Sequence, residues 1–214
     1  MAMKSRTGLA ISKRNNSNMY MRSLLLCIFL ITFAHSANGK TIVIVGDSLT
    51  EGVGVSKEQA YPALVEKSLV GWTVVSSGVS GSTSASALPR VSWVLKSKPD
   101  AILLALGAND GLRGFKTKVT KENLRAAIRK AKNTGVKVLL AGIQMPPNYG
   151  KKYTADFQEL FLTLAREEKI PVLPSLLDKL CGEPKYNLAD GIHPNEEGHK
   201  LIAESVIKFL KENL

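Results

Sequence analysis

TIVIVGDSL, residues 41–49, runs five apolar or β-branched residues into a Gly-Asp-Ser turn and predicts the first strand of a sheet. Residues 41–45 show no alternation of polar and apolar positions, which is typical of a strand buried on both faces of a parallel sheet. Similar apolar runs follow at 72–75, 101–106, 136–141 and 172–173. The sequence therefore predicts five buried parallel strands.

Helical patterns lie between these strands. Two apolar stripes repeat at i, i+3, i+4 and i+7, one formed by Leu124, Ala127, Ile128 and Ala131 and one by Phe157, Leu160, Phe161 and Leu164. Ser56 with Gln59 fits a capping box that opens the first helix, and Asn195 followed by two glutamates fits the start of the last helix. The alternation of strands and helices predicts an α/β fold, a three-layer α/β/α sandwich in one domain, residues 37–214.

The first 36 residues are typical of a secretory signal peptide. Five basic residues precede an apolar stretch of 11 residues, 24–34, which is well short of the roughly 20 needed to span a bilayer. Small residues follow, and cleavage after Ser36 or after Gly39 fits the pattern. Cys27 suggests a lipoprotein only weakly, because the bulky Leu26 precedes it. We expect a bacterial protein that is exported to the periplasm or secreted.

The charge, cysteine and histidine content argue against nucleic-acid binding and against a zinc site. Removing residues 1–36 takes away five of the 29 basic residues and none of the 18 acidic ones, which lowers the net charge from +11 to +6. The remaining basic residues are scattered and lack interleaved aromatic residues, so we expect no nucleic-acid binding. Cys181 is the single cysteine of residues 37–214, so the domain has no internal disulfide, and the three histidines of the chain form no convincing zinc set.

Chemically active residue types follow the predicted strands. Ser48 comes after the first strand, Gly81 lies beyond the second and Asn109 follows the third, while Asp190 and His193 precede the last helix. Ligands of open α/β sheets bind outside the carboxyl ends of the strands, so we expect these residues to meet at one edge. Core packing alone does not require this convergence.

The serine, histidine and aspartate predict acyl transfer. A serine hydroxyl is a weak nucleophile unless a base takes its proton, and His193 suits that task, with Asp190 orienting its ring. Alternatively, Ser48 only caps a helix, and Asp190 with His193 forms a surface turn. Asp47 and Asp110 compete for the role of the triad carboxylate, but each lies inside another motif and is expected to brace its loop.

An oxyanion hole can be predicted as well. The backbone N–H groups of Ser48 and Gly81 and the side-chain amide of Asn109 would donate to the charge that develops on a carbonyl oxygen. A turn glycine and a loop-capping asparagine are the alternatives for Gly81 and Asn109. The Gly-x-Ser-x-Gly elbow and both phosphate-binding glycine motifs are absent from this region, which favours acyl transfer by another type of hydrolase.

These blocks resemble the four signature blocks of the SGNH (GDSL) hydrolases, named for catalytic Ser, Gly, Asn and His, and match Ser48, Gly81, Asn109 and His193. The resemblance covers residues 41–213, and the stretches GANDGLRG at 107–114 and PNYG at 147–150 are similar to the periplasmic thioesterase I/lysophospholipase L1/arylesterase branch. It implies a flavodoxin-like sheet of five parallel strands, no metal or other cofactor, and hydrolysis of thioesters, aryl esters and lysophospholipids.

The resemblance also implies that residues 146–153 form a wall of the acyl site, with Pro146, Asn148 and Tyr149 as substrate-binding residues. Ser76 and Ser82 stand where such relatives usually carry Asn and an acidic residue, so the chemistry around Gly81 is left open. We expect a monomer that acts on small-molecule or lipid esters, with transient contact to membrane surfaces. The alternatives are a carbohydrate O-deacetylase of the same fold and a non-catalytic acyl- or glycan-binding module.

Overall fold

A computed structural model describes residues 39–178 and 180–214. The predicted signal peptide, residues 1–36, lies outside the described residues. Residues Lys40–Leu214 form one compact unit. Among the residues described, no helix combines the length and the apolar character that crossing a membrane requires.

The five strands form one parallel sheet in the order β2-β1-β3-β4-β5. Their bounds are β1 Lys40–Gly46, β2 Trp72–Gly78, β3 Ala101–Ala105, β4 Lys137–Ala141 and β5 Val172–Leu173. This order is that of flavodoxin-like sheets. The predicted fold class and strand number are thus confirmed.

In the described part of the chain, seven α-helices connect or follow these strands: α1 Ser48–Glu51, α2 Tyr61–Ser68, α3 Ala87–Val94, α4 Ala108–Leu112, α5 Thr117–Lys132, α6 Lys151–Glu168 and α7 Glu196–Asn213. Helix α2 packs on α7, whereas α5 packs between α3 and α6. Because crossovers between parallel strands are right-handed as a rule, and β2 and β3 lie on opposite sides of β1, these two groups belong on opposite faces of the sheet, as a three-layer sandwich requires.

Both predicted apolar stripes lie in the core. All eight of their side chains are buried, four on α5 and four on α6. The interior strand β1 is buried from Ile42 to Val45, where β-branched side chains pack against both helical layers. Burial of these stripes fixes the helices over the sheet and leaves the carboxyl ends of the strands open for a site.

Two expectations about local structure were wrong. β2 and β5 are edge strands rather than fully buried ones: Val75 of β2 is 44% exposed, and both residues of β5 are only half-buried. Ser56 and Gln59 were expected to open the helix after β1 that is now α2, but they lie outside it. The Gln59 side chain accepts the Ser56 N–H within a turn, and α2 begins later, at Tyr61, where Pro62 suits the first helical turn. The expected cap of the last helix is confirmed, since Asn195 accepts the Gly198 N–H.

Candidate active site

Ser48 lies where β1 turns into the short helix α1. The Asp47 carboxylate caps this helix by accepting the Leu49 N–H at 3.1 Å. A Cβ atom at Gly46 would overlap with the Thr50 side chain, so the turn requires a glycine before the Asp-Ser pair. The tight turn leaves Ser48 8% exposed on the wall of a pocket.

His193 lies between Ser48 and Asp190. Its Nε2 is 3.0 Å from Oγ of Ser48, and its Nδ1 is 2.7 Å from Oδ2 of Asp190. The other carboxylate oxygen of Asp190 accepts the backbone N–H groups of Ile192 and His193, each at 3.0 Å. The predicted serine, histidine and aspartate are therefore connected in one hydrogen-bonded line.

Asp190 is held in its charged form. The His193 backbone N–H, then the His193 side chain and the Ile192 N–H lower the pKa of Asp190 from its ordinary value to about 2. The loop itself is fixed where the Leu188 N–H donates to the His193 carbonyl at 2.7 Å. A carboxylate in this geometry can hold the imidazole ring in one tautomer and stabilise its protonated form.

Gly81 and Asn109 line the same pocket as Ser48. Gly81 is the third residue of a turn closed by the Ser82 N–H and the Val79 carbonyl, and its φ of +73° belongs to the left-handed region that favours glycine. Asn109 is the second residue of α4, and its Nδ2 donates to the Ser82 carbonyl at 3.0 Å. This bond uses one of the two amide N–H groups and leaves the other for a ligand.

The pocket between these residues has a volume of about 220 Å³. Besides the predicted residues, its wall is formed mainly by apolar or uncharged side chains, including Leu49, Leu112, Ile143, Met145, Leu177, Cys181 and Asn187. Burial raises the pKa of the Cys181 thiol, so the thiol stays protonated near neutral pH. An apolar cavity beside a serine–histidine pair can hold an acyl or aryl group next to a nucleophile.

The three predicted substrate-binding residues differ in position. Pro146 lines the pocket, whereas Asn148 is exposed and is not part of the pocket wall. Tyr149 is also outside the wall, and its hydroxyl donates to the Leu112 carbonyl at 3.0 Å. Tyr149 thus ties the segment after β4 to the end of α4, whose Leu112 does face the pocket.

Asp47 and Asp110 bond to backbone and hydroxyl groups instead of to His193. Asp110 accepts the Ser84 N–H at 2.7 Å and the Thr120 hydroxyl at 3.2 Å, which joins the segment after Gly81 to α5. Burial raises the pKa of Asp47 to about 6, although its hydrogen bonds and the nearby Arg90 and His193 act in the opposite direction. Both carboxylates brace loops, as the sequence predicted.

The two serines that depart from the usual pattern have structural partners. The Ser76 hydroxyl donates to the Thr50 carbonyl at 3.0 Å, which attaches β2 to α1. Ser82 contributes its backbone carbonyl to Asn109. Neither serine side chain is part of the pocket wall.

Several pocket residues were not predicted from the sequence. Ile143 and Met145 follow β4, and the rule that ligands bind beyond the carboxyl ends of strands could have singled them out. Leu177, Cys181 and Asn187 lie in an irregular segment after β5, for which no local signal exists.

The remaining histidine of the domain is structural. His199 on α7 is fully buried, and its Nδ1 accepts the Tyr61 N–H at 3.2 Å. Burial lowers the pKa of His199 to about 4, so the ring stays neutral near neutral pH. Within residues 39–178 and 180–214, no group of three or more His, Cys, Asp or Glu side chains is arranged to hold a metal ion.

Comparison with known proteins gives consistent results. The model of the GDSL-like Lipase/Acylhydrolase family matches residues 44–201. Esterase TesA of Pseudomonas aeruginosa is 37% identical over 198 residues, which cover 89% of this chain and 98% of the relative. The protein named thioesterase 1/protease 1/lysophospholipase L1 of Escherichia coli strain K12 is 36% identical over 200 residues, 92% of this chain and 96% of the relative.

A solved structure has the same fold. The crystal structure of TesA superposes with a TM-score of 0.79 at 37% sequence identity, covering 82% of this chain and 100% of the other. The match extends over the whole length of that solved chain.

Proposed function

The chain belongs to the GDSL-like lipase/acylhydrolase family and is a serine ester hydrolase, and we propose that Ser48 is its nucleophile. Oγ of Ser48 attacks the carbonyl carbon of an ester or thioester while Nε2 of His193 takes the hydroxyl proton. The 3.0 Å separation of these two atoms suits a direct proton transfer.

Asp190 acts through His193. Its carboxylate accepts a hydrogen bond from Nδ1–H, which leaves the lone pair of Nε2 free to act as the base. When Nε2 becomes protonated, the negative charge at 2.7 Å stabilises the imidazolium. Because the pKa of Asp190 is about 2, this charge is present throughout the neutral and mildly acidic range.

The negative charge that forms on the carbonyl oxygen is stabilised by three N–H donors. These are the backbone N–H groups of Ser48 and Gly81 and the free amide N–H of Asn109, all from residues that line the pocket. Donors that are already fixed in position stabilise the transition state more than the substrate. The left-handed turn at Gly81 and the bond from Asn109 to Ser82 provide this fixed position.

The reaction is completed in two stages. His193 returns its proton to the leaving alcohol or thiol, the bond to the leaving group breaks, and the acyl group stays on Oγ of Ser48. Water then attacks the acyl carbon while Nε2 takes a water proton. Return of that proton to Oγ releases the acid and restores the serine, and none of these steps requires a metal or cofactor.

We propose lipid-like and aryl esters, thioesters and lysophospholipids as the substrate class. The support comes from the apolar pocket wall around Leu112, Ile143 and Met145, which suits an acyl or aryl group rather than a sugar. The Escherichia coli relative is named a thioesterase and a lysophospholipase. In both activities the acyl group of the substrate would lie in the apolar pocket and be transferred to Ser48.

We also propose that the protein is exported and acts as a monomer. A basic and then apolar leader supports export. All residues assigned to the site belong to one chain, so catalysis requires no second copy. Contact with a membrane surface would be transient and limited to delivery of the lipid substrate.

The single observation that carries this proposal is the hydrogen-bonded line from Ser48 through His193 to Asp190 on the wall of an apolar pocket. The test is hydrolysis of p-nitrophenyl acetate and butyrate by purified residues 37–214 and by the Ser48→Ala variant. Activity that disappears in a folded Ser48→Ala variant is expected. Equal rates in both proteins would contradict Ser48 as the nucleophile.

A further inference from the structure

We propose that Arg90 is a positioning residue that sets the spacing between the Ser48 nucleophile and the Gly81 oxyanion donor. It lies on α3, outside the pocket wall, and joins the ends of the two strands that lead to these residues. The inference rests on the proposed function, since it assigns a task within the same site.

The ladder between the two strands stops before the reactive groups. β1 and β2 pair from Lys40–Trp72 to Gly46–Gly78, and each chain then turns away. β1 continues into Ser48 two residues later, and β2 continues into Gly81 three residues later. The spacing between Ser48 and Gly81 therefore depends on the contacts that hold the ends of β1 and β2 together.

Arg90 connects these ends directly. Its Nη1 donates to the Gly46 carbonyl at 2.7 Å, and its Nη2 donates to the Ser77 carbonyl. The Gly46 carbonyl also accepts the Val79 N–H at 3.2 Å. Arg90, the turn before Ser48 and the turn that contains Gly81 therefore meet at this carbonyl. The planar guanidinium holds two acceptors in a fixed relative geometry, which the single ammonium of a lysine does not.

The surroundings of Arg90 favour a local positioning task over a general stabilising one. The guanidinium is half-buried and, among the residues that the structure describes, forms no ion pair with a carboxylate. The Asp47 carboxyl is near enough to interact electrostatically with the guanidinium but forms no hydrogen bond with it. Two carbonyl oxygens at the strand ends are its hydrogen-bond acceptors, together with a longer contact to the Ser77 hydroxyl at 3.4 Å.

Two further hydrogen bonds hold α1 and β2 together close to Arg90. The Ser76 hydroxyl donates to the Thr50 carbonyl at 3.0 Å, and the Ser80 N–H donates to the Glu51 carboxylate at 2.6 Å. Both bonds attach α1 to β2 and its following turn without involving Arg90. Loss of the guanidinium is therefore expected to loosen the spacing of the donors without unfolding the domain.

The test compares Arg90→Met with Arg125→Met. Methionine keeps most of the apolar stem and removes the guanidinium in both variants. Arg125 is a matched control because it is a partly buried arginine on α5 that pairs with Glu122 and Glu167, away from the pocket. We would measure kcat and KM on p-nitrophenyl butyrate, together with Tm.

Arg90→Met is expected to lower kcat about 10- to 100-fold while KM stays within about threefold, because the donors are displaced in the transition state. Arg125→Met is expected to keep the wild-type kcat, whatever it does to Tm. In Arg90→Ala, millimolar guanidinium is expected to restore part of kcat, which a loss of folding would not allow.

A folded Arg90→Met variant with kcat within threefold of wild type would overturn the proposal. So would a loss of kcat equal to that of Arg125→Met with no recovery on adding guanidinium. Labelling of Ser48 in the wild-type protein by a fluorophosphonate, measured first, keeps a failure of the proposed function distinct from a failure of the Arg90 assignment.

Discussion

Nε2 of His193 lies 3.0 Å from Oγ of Ser48 although 145 positions separate the two residues in the sequence. One residue follows the first strand, and the other precedes the last helix. The fold brings these two segments together at the carboxyl edge of the sheet, where Gly81 and Asn109 also lie.

Replacing Asp190 by Asn tests the orientation of His193. The amide can present an N–H to Nδ1, which favours the tautomer whose Nε2 proton blocks its action as a base. We expect kcat/KM on p-nitrophenyl butyrate to fall about 10³- to 10⁴-fold with little change in KM. A loss smaller than about tenfold would contradict the assigned role.

Gly81→Ala tests the geometry of the oxyanion turn. Alanine resists the φ of +73°, and the turn can relax by rotating the peptide that carries the Gly81 N–H. We expect a stability loss of about 1–2 kcal/mol and a clear decrease in kcat.

Gly135→Ala is the matched control for this prediction. Gly135 has a φ of +80°, a Cβ there would have open space, and the residue is not part of the pocket wall. The two variants should lose similar stability, measured by urea unfolding, but only Gly81→Ala should lose activity. Equal activity in both would count against Gly81 as a donor.

Asn109→Ala removes the proposed side-chain donor. We expect kcat to fall about 10²- to 10³-fold. Stability should fall by about 1 kcal/mol, because the bond to the Ser82 carbonyl is lost. Asn123→Ala is the control, since the Asn123 amide also donates one bond, to the Ser84 hydroxyl at 3.0 Å, but lies outside the pocket. If both variants lost the same activity, the donor role of Asn109 would have to be abandoned.

Asp47 gives the domain a predictable dependence of stability on pH. Its pKa is about 6 in the folded state, against an ordinary value of 3.8, so between these values the folded state holds a proton that the unfolded state releases. Ionisation of Asp47 should therefore lower the free energy of unfolding as pH rises through this window, by up to about 3 kcal/mol.

The Asp47→Asn variant lacks this ionisation but keeps an acceptor for the Leu49 N–H. Its stability relative to wild type should increase by about 1–3 kcal/mol between pH 4 and pH 7, measured by chemical unfolding at each pH. Asp190→Asn should show the opposite sign at lower pH: the pKa of Asp190 is lowered from 3.8 to about 2, so its carboxylate contributes stability that is present above 3.8 and lost as pH falls towards about 2. A pH-independent difference for Asp47→Asn would contradict the burial argument.

The sequence alone predicts the fold and the meeting of the reactive residues. Local patterns define β1 and the two helical stripes, and the parallel sheet then requires residues after its strands to share one edge. The edge position of β2 was not predictable, because the run at 72–75 is as apolar as a central strand.

Residues that act through tertiary contacts were also missed. Arg90 belongs to no sequence motif, because the groups that it binds are backbone carbonyls of residues distant in the sequence. Tyr149 belongs to a stretch that was singled out, yet its hydroxyl contacts the Leu112 carbonyl rather than the pocket. Side-chain direction within loops depends on packing that no local pattern encodes.

The most direct test of the account is the site of covalent labelling by a fluorophosphonate, which mimics the tetrahedral intermediate on an activated serine. The purified protein should gain one phosphonyl group, located by mass spectrometry of its peptides on Ser48, with parallel loss of esterase activity. Ser48→Ala should gain none. Labelling on another residue, or an unlabelled Ser48 in a protein that still hydrolyses esters, would contradict the central claim.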